Sequence, residues 1–156
     1  MAATWSSAGP GTRQVAELPV GPVLLVEDDE PLAAIVVRHL SAHLIPTQVA
    51  RSAEEAVSLL DSGVRPALIF LDINLPGDTG WSILRSRAYE DAGSPNVVVV
   101  SATRIPSARL REFGIKGYLP KPFSIDTLLE TARRYATDRP AGTAETPEEP
   151  IDVEIR

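Results

Sequence analysis

Three short runs of uninterrupted apolar residues, Val23 to Val26 (VLLV), Ala67 to Leu71 (ALIFL) and Val97 to Val100 (VVVV), constrain this chain more than any other feature. A strand with one wet face alternates apolar and polar residues, whereas a strand apolar throughout has both faces covered, as in a parallel sheet wrapped by helices. A weaker run, Thr47 to Ala50, and the pair Tyr118 and Leu119 complete a set of five. Helical patterns fit between them. Pro31 suits a first helical turn, and Leu32, Ile35, Val36 and Leu40 then share a face. Ser52 and Glu55 have the spacing of a capping box, with Ala56, Val57, Leu59 and Leu60 inward and a stop near Gly63. Trp81 to Ala88 reads as a third helix and Ser107 to Phe113 as a short fourth. The last begins at Ser124 and buries Ile125, Leu128, Leu129 and Ala132. The pattern predicts the α/β class, a doubly wound five-stranded parallel sheet of (βα)5 form.

Both ends differ from this middle. Residues 1–20 are rich in Ala, Ser, Gly and Thr without apolar periodicity, and residues 137–156 form an acidic, Pro-rich tail with six acids and two arginines. Both are predicted to be disordered, leaving one domain over residues 21–136. Within the second tail, Ile151, Val153 and Ile155 alternate with Asp152 and Glu154, so two readings stay open: a solvated end, or a strand docked on a sheet edge or a partner. The chain of 156 residues carries a net charge of −6, which argues against a dominant basic surface for nucleic acid. It has no cysteine, which excludes disulfides, thiolate catalysis and cysteine-bound metal. No apolar run is long enough to span a bilayer and the first 20 residues lack a basic segment followed by an apolar one, so the expected location is the cytoplasm, with no membrane partner.

In an open parallel sheet, ligands bind at the carboxyl ends of the strands. There the sequence supplies Glu27 and Asp28 after the first strand, Asp72 at the end of the third, Ser101 at the end of the fourth and Lys121 just past the fifth. Three carboxylates brought together repel one another unless their pKa values rise or a cation sits among them. Mg2+ suits such a rim, because it accepts a few carboxylate or carbonyl oxygens and keeps positions for water and phosphate oxygens. A lysine and a hydroxyl opposite the ion would complete a cradle for a phosphoryl group, with the central carboxylate as acceptor. Taken singly, each residue has a plainer reading: Glu27 to Glu30 as solvated charge, Asp72 as a turn former, Lys121 as a surface lysine, Ser101 as a hydroxyl satisfied by backbone. Asp29 and Glu30 keep that reading. His39 and His43 are spaced as helical metal ligands but lack a third, and read as partly exposed helix positions; Trp81 reads as partial packing.

Four segments in order, VLLVEDDEP, FLDINLPGDTG around Asp72, VVVVSA around Ser101 and GYLPKPF around Lys121, together resemble the receiver domain of bacterial two-component response regulators. The resemblance covers residues 21–136. It implies a flavodoxin-like receiver fold of strand order 2-1-3-4-5, Asp72 as the phosphoacceptor, and Mg2+ held by Glu27, Asp28, Asp72 and the backbone carbonyl of Asn74. It also implies that Lys121 pairs with the phosphoryl oxygens from a cis Lys121–Pro122 bend and that Ser101 swings in to hydrogen-bond them. Tyr118 would be the aromatic residue that moves inward with Ser101, and Ala102 the small residue that leaves the acyl phosphate accessible to water. The implied donor is a sensor histidine kinase or a histidine phosphotransfer protein.

Three features depart from the family pattern. Leu75 stands where Met is common, Ser101 replaces the commoner Thr, and the stretch from Ser101 to Lys121 is about two residues short, leaving the fourth helix barely two turns. With only a short tail after residue 136, the chain is expected to lack a DNA-binding domain and to act as a stand-alone receiver. It would then be a switch that regulates an unidentified downstream protein by direct binding, or alternatively a phosphorelay intermediate, a phosphate sink or a pseudo-receiver that is never phosphorylated. It is expected not to be an enzyme beyond its own phosphorylation and dephosphorylation. A flavodoxin-like cofactor binder fails on charge, since Glu27 to Glu30 would repel a phosphate, and a P-loop hydrolase lacks its motif.

Overall fold

In the computed structural model of the chain, which describes residues 21–136 and 151–152, strands β1 (Val23–Val26), β2 (Thr47–Ala50), β3 (Leu68–Asp72), β4 (Asn96–Ser101) and β5 (Gly117–Pro120) pair in parallel in the order 2-1-3-4-5. The unbroken apolar runs explain why the sheet sits in the middle. Leu24, Val26, Ile69, Leu71, Val97 and Val99 point into one core layer, while Val23, Leu25, Leu68, Phe70, Val98 and Val100 point into the other. Each fully buried large side chain contributes about 1.5–3 kcal/mol of transfer free energy.

Helices α1 (Glu30–Ala42) and α6 (Ile125–Ala136) cover one face. The other is covered by α2 (Ala53–Asp61), the short α3 (Trp81–Leu84) and α4 (Arg87–Asp91), and α5 (Ser107–Glu112). Their starts are held by side chains the sequence marks. Asp29 caps α1 by accepting from the Leu32 amide at 3.0 Å, and Ser52 caps α2 by accepting from the Glu55 amide at 3.1 Å. The box at α2 closes differently from expectation, because the Glu55 carboxylate accepts from the Arg51 amide rather than from that of Ser52.

Two element-level expectations are corrected. Ile35 is 48% exposed, because the buried stripe of α1 runs through Ala33, Val36 and Leu40 and leaves Ile35 on the outer side. The helix expected over Trp81 to Ala88 is two helices. At the break Ser86 takes an extended conformation, and its hydroxyl accepts from the Tyr89 amide to start α4.

The reading of residues 137–156 as structureless does not extend to Ile151 and Asp152. These form a two-residue strand, β6 (Ile151–Asp152), parallel to β5, with Gly117 opposite Ile151 and Tyr118 opposite Asp152. The segments 1–20, 137–150 and 153–156, also read as tails, lie outside the described residues. Among the described residues no helix is long and apolar enough to cross a membrane.

Candidate functional site

The carboxyl ends of β1, β3, β4 and β5 meet at one rim because parallel pairing puts all four on the same side of the sheet. Glu27 follows β1 and is buried, its amide donating to the Ala50 carbonyl at 2.9 Å. Asp72 closes β3 and is also buried; Ser101 closes β4 and is fully buried. Lys121 follows β5, tied down by its amide to the Ser101 carbonyl at 2.9 Å, and the Lys121–Pro122 peptide bond is cis.

The Lys121 ammonium donates to Glu27 Oε2 at 2.7 Å and to Asp72 Oδ2 at 3.1 Å. Carboxylate oxygens of Glu27, Asp28 and Asp72 lie within 4.8 Å of one another, with Asp28 exposed to solvent and the other two buried. Burial pushes the Glu27 carboxyl above its ordinary value, against the lowering pull of the Lys121 hydrogen bond and the Asp29 amide. Burial also works to lower the Lys121 pKa, but the hydrogen bonds to Glu27 and Asp72 and their charges outweigh it and hold the ammonium above its ordinary value. Three carboxylates against one ammonium leave an excess of negative charge. That donor set, all hard oxygens with one member open to water, fits a divalent ion such as Mg2+.

A second set of contacts surrounds the hydroxyl. Asp72 Oδ1 accepts from the Asn74 amide at 2.8 Å, and the Asn74 side-chain amide donates to Ser101 Oγ and to Thr103 Oγ1, both at 3.2 Å. Ser101 Oγ also accepts from the Thr103 amide at 3.0 Å. The half-buried Tyr118 donates its hydroxyl to the Thr103 carbonyl at 3.0 Å. Ala102, next to Ser101, is exposed on the rim.

The residues that the resemblance assigns to the phosphoryl site therefore gather at this rim, and Thr103 joins them unforeseen. Its signal was a second hydroxyl two residues after Ser101, which only the turn beyond β4 converts into a contact. Two neighbours also differ from expectation: Asp29 is the α1 cap, and Glu30 pairs with Arg51. The His43 ring nitrogen lies 2.8 Å from the His39 carbonyl, and neither histidine belongs to a metal-ligand cluster among the described residues.

Residues 23–133 match the family model described as the response regulator receiver domain. The chain belongs to that family. This receiver domain is 30% identical over 124 residues to a protein of Bacillus subtilis (strain 168) named as the uncharacterized transcriptional regulatory protein YkoG, covering 79% of this chain and 53% of that one. It is 31% identical over 115 residues to the positive alginate biosynthesis regulatory protein of Pseudomonas aeruginosa PAO1, covering 71% and 46%. The chain thus spans about half the length of the curated relatives it matches. In structure the receiver resembles the signal receiver domain of a putative Luxo repressor protein from Vibrio parahaemolyticus, with a TM-score of 0.67, 24% identity, and coverage of 74% of this chain and 89% of that one.

Proposed function

We propose that this receiver is a phosphorylation switch of a two-component system, which takes a phosphoryl group from a phosphohistidine onto Asp72 and regulates a downstream protein by direct binding. The observation that carries the reading is the position of Asp72. Its carboxylate lies within 4.8 Å of two others, with Lys121 on one oxygen and the Asn74 amide on the other.

In the transfer, an Asp72 carboxylate oxygen forms a bond to phosphorus as the P–N bond to the donor imidazole breaks; the imidazole nitrogen keeps the electron pair and then takes a proton. Little covalent assistance is needed, so the site's work is positioning and charge. Glu27, Asp28 and Asp72 are the side chains that would hold Mg2+, with the Asn74 carbonyl as a further oxygen. The ion, when bound, offsets the negative charge that gathers on the phosphoryl oxygens. Lys121 is poised to leave Glu27 for a phosphoryl oxygen, and Ser101 to offer its hydroxyl proton to another. Exposed Ala102 leaves a path for water, so the acyl phosphate is lost by hydrolysis, with release of phosphate and return of the free carboxylate. The protein's chemistry is confined to its own phosphorylation and dephosphorylation. The donor is a sensor histidine kinase or a histidine phosphotransfer protein, met by this receiver in the cytoplasm.

Incubation with acetyl phosphate and Mg2+ tests the reading by intact mass. One phosphoryl adduct is expected, abolished by EDTA and by Asp72→Asn. Labelling of Asp72→Asn at the native rate overturns it.

A further inference from the structure

Strand β5 is one of the two edges of the five-stranded sheet, and an edge strand presents unpaired amide and carbonyl groups that another strand can take up. Here the chain itself supplies that strand, through Ile151 and Asp152 in parallel register with Gly117 and Tyr118. We propose that the β5 edge is a strand-docking site whose resident occupant is the chain's own acidic C-terminal segment, held there by charge as well as by backbone pairing and displaced by a competing acidic strand.

Three observations carry this. The first is charge. The chain before and after β5 carries Arg104 and Arg111 before and on α5, Lys116 directly before β5, and Arg133 and Arg134 in the last turn of α6. Its acids there, Glu112, Asp126 and Glu130, are fewer, and Glu112 is already engaged with Arg109 at 2.9 Å. The C-terminal segment carries Glu148, Glu149, Asp152 and Glu154 in its sequence. Opposite signs at a sheet edge favour pairing and set its register.

The second is the position of the ends. The Tyr135 hydroxyl, one residue before α6 ends, donates to the Lys116 carbonyl at 3.0 Å, while Ile151 lies opposite Gly117. The Tyr135 carbonyl accepts from the Asn96 side chain at the start of β4, the strand next to β5, so the two ends of the connection lie about one strand apart, closure costs little, and the tethered strand acts at an effective concentration of about millimolar. The third is pattern. Ile151, Val153 and Ile155 alternate with acids, the period of a strand that presents one side to a protein and one to water. Two paired residues are a weak grip for a free peptide, and the tether compensates for that. A partner that adds a strand to this edge must be extended and acidic, and must displace the tail.

Amide hydrogen exchange of the full chain, read by NMR at Gly117, Tyr118 and Leu119, tests the proposal. In the native chain, the β5 amide directed away from β4 is expected to exchange at least about tenfold more slowly than in an Ile151→Pro/Asp152→Pro variant whose fold is unchanged by circular dichroism. A Glu148→Lys/Glu149→Lys variant, which leaves the strand residues intact, should lose part of that protection at low salt, and the native chain should lose a similar part at 1 M salt. A peptide of residues 147–156 at millimolar concentration should slow exchange in the proline variant, and the same peptide with its acids replaced by lysine should not. Equal β5 exchange in the native and proline-substituted chains overturns the docking. Insensitivity to both charge reversal and salt, or equal action of the two peptides, overturns the acidic assignment. None of these readouts depends on Asp72 being phosphorylated.

Discussion

Lys121 serves two buried carboxylates with one ammonium, and the balance at Glu27 shows what that arrangement costs the fold. Glu27 has a folded-state pKa above its ordinary value of 4.5, chiefly through burial. A carboxyl raised in this way favours the fold below its unfolded pKa, and that advantage is lost as pH rises through the folded value. At neutral pH its charge therefore works against stability. Glu27→Gln should raise the urea midpoint of the metal-free protein while weakening Mg2+ binding in a calorimetric titration. A less stable variant would contradict the assigned balance. Because ligand carboxylates must be ionised, native Mg2+ affinity should also fall as pH drops through the raised Glu27 pKa. Lys121 has the same sign of shift but a different window: its folded value lies above 10.5, so the stability it contributes is complete below the unfolded pKa and is lost in alkali as pH climbs past the folded one. An alkaline denaturation series on the native chain and Lys121→Met should converge above that range.

Between elements, an aromatic stack joins α3 to the end of α5. The rings of Trp81 and Phe113 stack with centroids 4.8 Å apart, and Arg85 and Arg109 lie about 5 Å over them. This stack anchors a helix of only two turns, which would otherwise bury little beyond Leu110. Phe113→Leu should cost about 1 kcal/mol beyond its lost area and loosen α5, seen as faster amide exchange over residues 107–112. Unchanged exchange there would leave the stack without that role. Gly80 is a second tight point. A Cβ there would lie 2.6 Å from the Asp72 carbonyl oxygen, closer than carbon and oxygen can approach, so Gly80→Ala must move backbone at the site itself.

These elements also show where sequence reading succeeds and where it stops. The strands were legible because burial on both faces leaves an unbroken apolar run, and the rim residues because each sits directly at a strand end. The break at Ser86 was not, because Trp81 to Ala88 keeps helical spacing across it and only the Ser86 cap decides. Ile35 was misplaced because Ala33, a small residue with a weak apolar signal, sits at the centre of the buried stripe. Thr103 was missed because its contacts depend on how the chain turns after β4, which periodicity does not encode.

At the scale of the whole molecule, the rim holds like charges together and the rest of the fold supports it. A ligand that binds only the folded state stabilises it by mass action, about 2.7 kcal/mol at a hundred times its Kd. Mg2+ should therefore raise the melting temperature of the native chain, and Asp28→Ala should remove most of that rise while changing the metal-free melt little, since Asp28 is exposed. An equal rise in the variant would place the ion elsewhere. The central claim is that one carboxylate at this rim, that of Asp72, accepts the phosphoryl group, and locating the group chemically tests it most directly. Borohydride reduces an aspartyl phosphate to the corresponding alcohol, so an acyl-phosphate-treated chain can be reduced, digested and sequenced by mass. The account predicts homoserine at position 72 and at no other acidic residue, dependent on Mg2+. Homoserine at position 28 or 29, or none at 72 in a chain that has gained a phosphoryl group, would contradict it.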